Sequence, residues 1–218
     1  WQPFDFQYTT WSKYYTKHSG LVVAPTGFGK TFSVFLAVVI DYLNHPEAYK
    51  KGLKLIWVSP LRSLAKDLAK AMTNAVEDIG LDWQIEVRNG DTPTNIKRKQ
   101  ERLMPDVLIT TPETLHLMFS QKKNSRWFKH LNCIAVDEWH QLIGNKRGVL
   151  TELAIARLKQ LSPKLQIWGI TATIGNLDEA QQVLMPYKDL KTIQIKAKLK
   201  KKIDIISVLP DQVETLPW

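Results

Sequence analysis

Eight consecutive residues, Ala24-Pro25-Thr26-Gly27-Phe28-Gly29-Lys30-Thr31, carry the most specific chemical signal in the chain. An apolar run over residues 21–24 leads in, and a helix-competent run over 32–40 leads out. Strand, glycine loop and helix in that order make a phosphate-binding loop. Thr26, Gly27, Phe28 and Gly29 form the bend, where glycine lets backbone N–H groups curl round a phosphate with no Cβ in the way. The helix that opens near Gly29 turns its positive dipole end to the same phosphates. Lys30 can neutralise the β- and γ-phosphates of ATP, and the Thr31 hydroxyl can ligate Mg²⁺. A second cluster, Asp137-Glu138-Trp139-His140, follows the apolar run Cys133-Ile134-Ala135-Val136. Two acids at a strand end are what an Mg²⁺–ATP site needs opposite its phosphate loop. Asp137 would hold Mg²⁺, mostly through water, Glu138 would polarise the attacking water, and His140 would link the nucleotide to neighbouring loops. A third signal, Gly169-Ile170-Thr171-Ala172-Thr173, sets two hydroxyls at another strand end. Threonine is an ordinary strand residue, so this one has meaning only beside the other two.

Positioning these groups requires a particular scaffold. Short apolar runs at 21–24, 54–58, 84–87, 107–110, 133–136, 167–171 and 192–195 read as strands, and the patterns at 31–43, 61–79, 94–102, 113–120, 150–161 and 177–184 read as helices. Several strands are continuously hydrophobic instead of alternating, as strands buried on both faces are. Repeated β-α units of this kind imply an α/β fold, a parallel sheet sandwiched between helices. Function in that architecture sits in loops at the carboxyl ends of the strands, where the three signals fall.

The chain has 218 residues, 44% of them hydrophobic, enough for one α/β domain or a little more. A net charge of +9 favours a polyanionic partner, nucleic acid first. The single cysteine, Cys133, excludes an internal disulfide and suits a reducing cytoplasm; within its apolar run it reads as core. No run approaches membrane-spanning length, and Trp1-Gln2-Pro3-Phe4 does not read as a signal peptide, so no membrane partner is expected. The charge run Lys196-Ala197-Lys198-Leu199-Lys200-Lys201-Lys202 reads as a solvated linker, with a further strand possible at 203–208.

The three motifs, in this order, resemble motifs I, II and III of superfamily 2 DEXH-box helicases. More narrowly, Trp1-Gln2-Pro3-Phe4-Asp5-Phe6-Gln7, the stretch from Asp137 through Gln141-Leu142-Ile143-Gly144-Asn145-Lys146-Arg147-Gly148, and the stretch from Trp168 to Leu177 resemble the Lhr-like group and its DNA-ligase-associated members. The resemblance implies a RecA-like P-loop NTPase fold over 1–195 and a basic linker over 196–218 towards a second RecA-like lobe. It implies an ATP-dependent DNA helicase acting in repair, with ATP and Mg²⁺ as cofactors. Partners would be single-stranded or partly duplex DNA, with a DNA ligase and a nuclease suggested by the family context. Lys30, Asp137, Glu138 and His140 would be its catalytic set, with Thr171 and Thr173 coupling nucleotide to nucleic acid.

Position by position, Gln7 matches the glutamine that reads the adenine edge, with an exposed helix glutamine as the alternative. Arg62 in Pro60-Leu61-Arg62-Ser63, Gly90 in Asn89-Gly90-Asp91-Thr92, and Thr111 with Pro112 in Thr110-Thr111-Pro112-Glu113 match loops that touch a strand's phosphates. Each of these alone also reads as a cap or turn. Lys146 and Arg147 read equally as nucleic-acid contacts or as a solvated loop. Phe28 is bulky where this loop usually has a small residue, and Thr171 stands where serine is usual. No Gln-Arg-x-Gly-Arg-like segment follows Thr173, so the arginine fingers of the expected second lobe are not in this chain. An RNA helicase of the same superfamily and a non-hydrolysing nucleotide-binding scaffold are the rival readings.

Overall fold

The computed structural model describes residues 2–121, 124–172 and 174–199. Seven strands form where apolar runs are expected: β1 (Ser19–Val23), β2 (Leu55–Val58), β3 (Ile85–Arg88), β4 (Val107–Thr110), β5 (Cys133–Val136), β6 (Gln166–Thr171) and β7 (Thr192–Lys196). They make one sheet in the order β3-β4-β2-β5-β6-β1-β7, every neighbouring pair parallel. Side chains alternate between two cores. Val22, Leu55, Trp57, Val107, Ile109, Cys133, Ala135, Trp168 and Ile170 face one, while Leu21, Val23, Ile56, Val58, Leu108, Ile134, Val136 and Ile167 face the other. Both faces are apolar because both are covered, which is why these strands do not alternate in polarity.

Helices α1 (Asp5–Tyr15), α2 (Lys30–Asn44) and α3 (Ala65–Asp78) cover the first face through Phe6, Tyr14, Val34, Phe35, Val38, Met72 and Val76. Helices α5 (Pro112–Phe119), α6 (Asn124–Phe128), α7 (Trp139–Leu142), α8 (Lys146–Leu161) and α9 (Leu177–Leu184) cover the second through Leu115, Phe128, Trp139, Leu142, Leu158 and Leu184. α4 (Thr94–Arg102) follows β3, and its buried Gln100 donates to the Val87 carbonyl.

Some boundaries differ from the sequence pattern. α3 starts at Ala65, not 61, because Arg62-Ser63-Leu64 is a turn closed by the Ala65 N–H donating to the Arg62 carbonyl, leaving Leu61 and Leu64 exposed. α8 begins a turn earlier than 150, where Asn145 Oδ1 accepts from the N–H groups of Arg147 and Gly148. Past β7, the Ala197 N–H donates to the Val23 carbonyl, and Ala197 and Leu199 pack on the core, so the packed body extends to Leu199. Thr173, the lysines at 200–202 and the strand expected at 203–208 lie outside the described residues.

Candidate nucleotide site and nucleic-acid face

β1 delivers the chain to the phosphate loop. Gly27 and Gly29 sit at φ +88° and +72°, left-handed backbone that glycine adopts freely. Gly29 is also the residue before α2, so the loop's amides and the helix start converge. Lys30, the first residue of α2, is only 7% exposed, and its Nζ has no hydrogen-bond partner. The nearest countercharge is Glu138 Oε1 at 3.7 Å. A buried ammonium without hydrogen bonds is costly unless something else completes its shell. Phosphate oxygens would do so. The Thr31 hydroxyl follows it on the helix.

Gln7 is buried and not an exposed helix residue. Its Nε2 donates to the Gly29 carbonyl at 3.0 Å and its Oε1 accepts the Phe4 N–H at 2.9 Å. The amide thus ties the entry to α1 onto the phosphate loop. Beside it lies a cleft of about 380 Å³ lined by Phe4, Gln7, Phe28, Gly29 and Phe32. The Phe4 and Phe28 rings meet edge to face at 5.8 Å. The bulk of Phe28 therefore forms one wall of this cleft.

β5 delivers the acids. Asp137 Oδ2 accepts from the Trp57 indole N–H at 3.3 Å, across from the neighbouring strand β2, and its Oδ1 accepts the Glu138 N–H at 2.9 Å. Burial first, and then the Glu138 charge, push the Asp137 carboxyl up to about 6, against the pull of Trp57 and Lys30. Glu138 holds φ +47°, a left-handed backbone unusual for a residue with a side chain. That conformation turns its carboxylate between Lys30 and His140, whose Nδ1 is 3.4 Å from Oε2. His140 Nδ1 also lies 3.1 Å from the Thr171 hydroxyl and accepts the Ala172 N–H at 3.3 Å. The acidic loop after β5 is thereby joined to the loop after β6. Trp57 has no signal in the sequence: within the run Leu55–Val58 it reads as core, and its link to Asp137 exists only once β2 lies beside β5.

The remaining loops line up along the other half of the sheet edge. Arg62 follows β2 and pairs with Asp91 at 3.4 Å, both exposed, and its guanidinium lies over Gly90 in the loop after β3. Thr111 and Pro112, after β4, are buried; the Thr111 hydroxyl caps α5, accepting the Thr114 N–H and donating to the Thr114 hydroxyl. Arg147 is turned inward onto Glu113 and the Pro60 carbonyl, while Lys146 is exposed. Loops after β3, β4 and β2 thus form one contiguous group, and those after β5, β6 and β1 another, with the boundary between β2 and β5.

A family model described as DEAD/DEAH box helicase matches residues 4–182. The chain belongs to this family. The helicase domain is similar to "ATP-dependent helicase Lhr-Core protein 2" of Thermococcus barophilus, 32% identical over 89% of this chain and 25% of the relative. It is similar to "Lhr helicase/ probable uracil glycosylase" of Mycolicibacterium smegmatis, 34% identical over 84% of this chain and 13% of the relative. The structure of Mycobacterium smegmatis helicase Lhr bound to ssDNA and AMP-PNP superposes with a TM-score of 0.78, at 34% identity, over 93% of this chain and 27% of that one. The chain thus spans a quarter or less of the length of these curated relatives. Among the described residues no helix is long and apolar enough to cross a membrane.

Proposed function

We propose that this helicase domain is the first RecA-like lobe of an Lhr-type, ATP-dependent DNA helicase acting in repair, with its second lobe elsewhere in a longer polypeptide. The observation that carries the nucleotide half is the buried, partnerless Nζ of Lys30 facing Glu138 at the start of α2. Bound there, Mg²⁺–ATP would supply a phosphoanhydride whose γ-phosphate is open to water. Lys30 would hold its β- and γ-oxygens, and Thr31 and Asp137 would hold the metal. Among the described residues there is no cluster of three or more His, Cys, Asp or Glu side chains fit for a metal, which suits an ion completed by phosphate and water. Glu138 would orient and deprotonate the attacking water, and Gln7 with the aromatic cleft would take the base. His140 and Thr171 would pass the state of the acidic loop to the neighbouring strand.

DNA in place of RNA is favoured by the Mycobacterium smegmatis relative, which is described as bound to ssDNA. Phosphate contacts along the loops that carry Arg62, Gly90, Thr111 and Pro112 would make binding largely independent of sequence and sensitive to salt. Ligase and nuclease partners rest on the family resemblance, and a cytoplasmic location on the single cysteine. The scaffold alternative is disfavoured by the intact set Lys30, Asp137 and Glu138.

Calorimetry with Mg–ATP tests the site. Lys30→Ala should abolish detectable binding, whereas Glu138→Gln should retain it, because that carboxylate acts on water and not on nucleotide. The unmodified chain should release phosphate negligibly, with or without DNA, since an arginine finger worth about 10³–10⁵ in rate belongs to the other lobe. Turnover stimulated by DNA and lost in Lys30→Ala would refute the two-lobe assignment.

A further inference from the structure

Arg147 and Lys146 are neighbours in sequence, yet their side chains do opposite things. Lys146 is exposed at the start of α8, whereas the half-buried Arg147 turns its guanidinium onto protein groups. Its Nε donates to Glu113 Oε1 at 2.6 Å, its Nη2 to Glu113 Oε2 at 3.4 Å, and its Nη1 to the Pro60 carbonyl at 2.7 Å. Pro60 lies in the loop after β2, Glu113 in the first turn of α5 after β4, and Arg147 itself follows the acidic loop by way of α7. One planar fork therefore joins loops from three adjacent strands.

The surroundings hold that fork in place. Asn145 Oδ1 accepts from the Arg147 and Gly148 N–H groups at 2.9 and 3.2 Å, and the Thr151 hydroxyl donates to the Arg147 carbonyl at 2.8 Å. Gly148 packs so closely under α7 that a Cβ there would lie 2.2 Å from the Leu142 carbonyl oxygen. On the Glu113 side, burial raises the carboxyl, but Arg147, the residue's own N–H and the Thr111 hydroxyl outweigh it and leave it below the ordinary range. The two side chains meet through two hydrogen bonds, Nε to Oε1 and Nη2 to Oε2.

We propose that Arg147 is a positioning residue that fixes the spacing of the Pro60 and Thr111 loops and ties both to the acidic loop, without itself touching nucleic acid. This rests on the reading of those loops as the nucleic-acid face. Phosphates recur along a strand at a set interval, so donors on two loops help each other only while the loops keep matching separation. Arginine suits the task because its fork satisfies a carboxylate and a carbonyl together; lysine offers a point charge and no fork.

Fluorescence anisotropy of a labelled oligothymidylate with the 218-residue chain, over a salt series, separates positioning from contact. Arg62→Ala controls for the face: affinity should fall and the salt slope should flatten by about one unit. A positioning role requires Arg147→Lys to lose roughly tenfold in affinity, nearly as much as Arg147→Ala, with the salt slope unchanged. It also requires Glu113→Gln to weaken binding, although that change makes the chain more positive. Circular dichroism melts establish that each variant is folded at the assay temperature, and Arg147→Lys keeps both stem and charge should Arg147→Ala unfold. Parental affinity in Arg147→Lys, a slope change of about one in Arg147→Ala, or tighter binding by Glu113→Gln would each overturn the proposal. No response to Arg62→Ala would overturn the reading of the face and the proposal with it. A response to Arg62→Ala with none to Arg147→Lys and Glu113→Gln would overturn the proposal alone.

Discussion

Asp137 is a carboxylate that the apo protein is reluctant to ionise. Its folded pKa, about 6 against an ordinary 3.8, means the folded chain binds the proton more tightly than the unfolded chain. Stability contributed by the protonated form is complete below about pH 4 and is lost as pH rises through about 6. Asp137→Asn should therefore stabilise the metal-free protein at pH 8 by on the order of 1–3 kcal/mol, seen as a higher melting temperature, and the gain should vanish near pH 4. Thermal denaturation in chelator at the two pH values checks this, and an equal effect at both would disconnect it from ionisation. At this same scale lay the least legible features. The phosphate-loop residues, Asp137, Glu138 and His140 are marked by motifs whose spacing is local. Trp57 and the inward turn of Arg147 depend on side chains that meet only after β2, β4 and β5 assemble, so nothing near them in sequence marks their partners.

Among the elements, the strands were readable as continuous apolar runs, which burial on both faces leaves, and amphipathic helices by their period. α1 was not: over Asp5–Tyr15 the buried side chains are Phe6, Gln7, Thr10 and Tyr14, two of them polar, so no apolar stripe marks it. α7 is a single turn, Trp139–Leu142, too short to show a period. The start of α8 was hidden because its first turn, Lys146-Arg147-Gly148-Val149, carries no apolar face and is held by the Asn145 cap and by Arg147. Gly148 shows the constraint most plainly. Glycine to alanine inside a helix ordinarily stabilises. Here the added carbon would press on the Leu142 backbone, so Gly148→Ala should destabilise by roughly 1–3 kcal/mol. Urea denaturation of the two chains decides between the signs.

For the whole molecule, strand order separates two groups of loops, the phosphate and acidic loops after β5, β6 and β1 and the loops proposed to face nucleic acid after β3, β4 and β2. Parallelism among the strands was legible from their hydrophobic runs; their order was not, since no local pattern says which strands are neighbours. That order also governs time. β1 pairs only with β6 and β7, Gly20 facing Trp168 and Ser19 facing Thr192, at the far end of the chain. Contacts across such separations form slowly, because a long loop must close before they return any stability. β2, β4 and β5 can assemble without them. In refolding from urea, ellipticity should therefore recover before the capacity to bind a fluorescent ATP analogue, and simultaneous recovery in the earliest phase would contradict this order. During synthesis the phosphate-loop sequence would be complete once Thr31 had been added, yet its supporting strand β1 would stay unflanked until β6 and β7 had emerged.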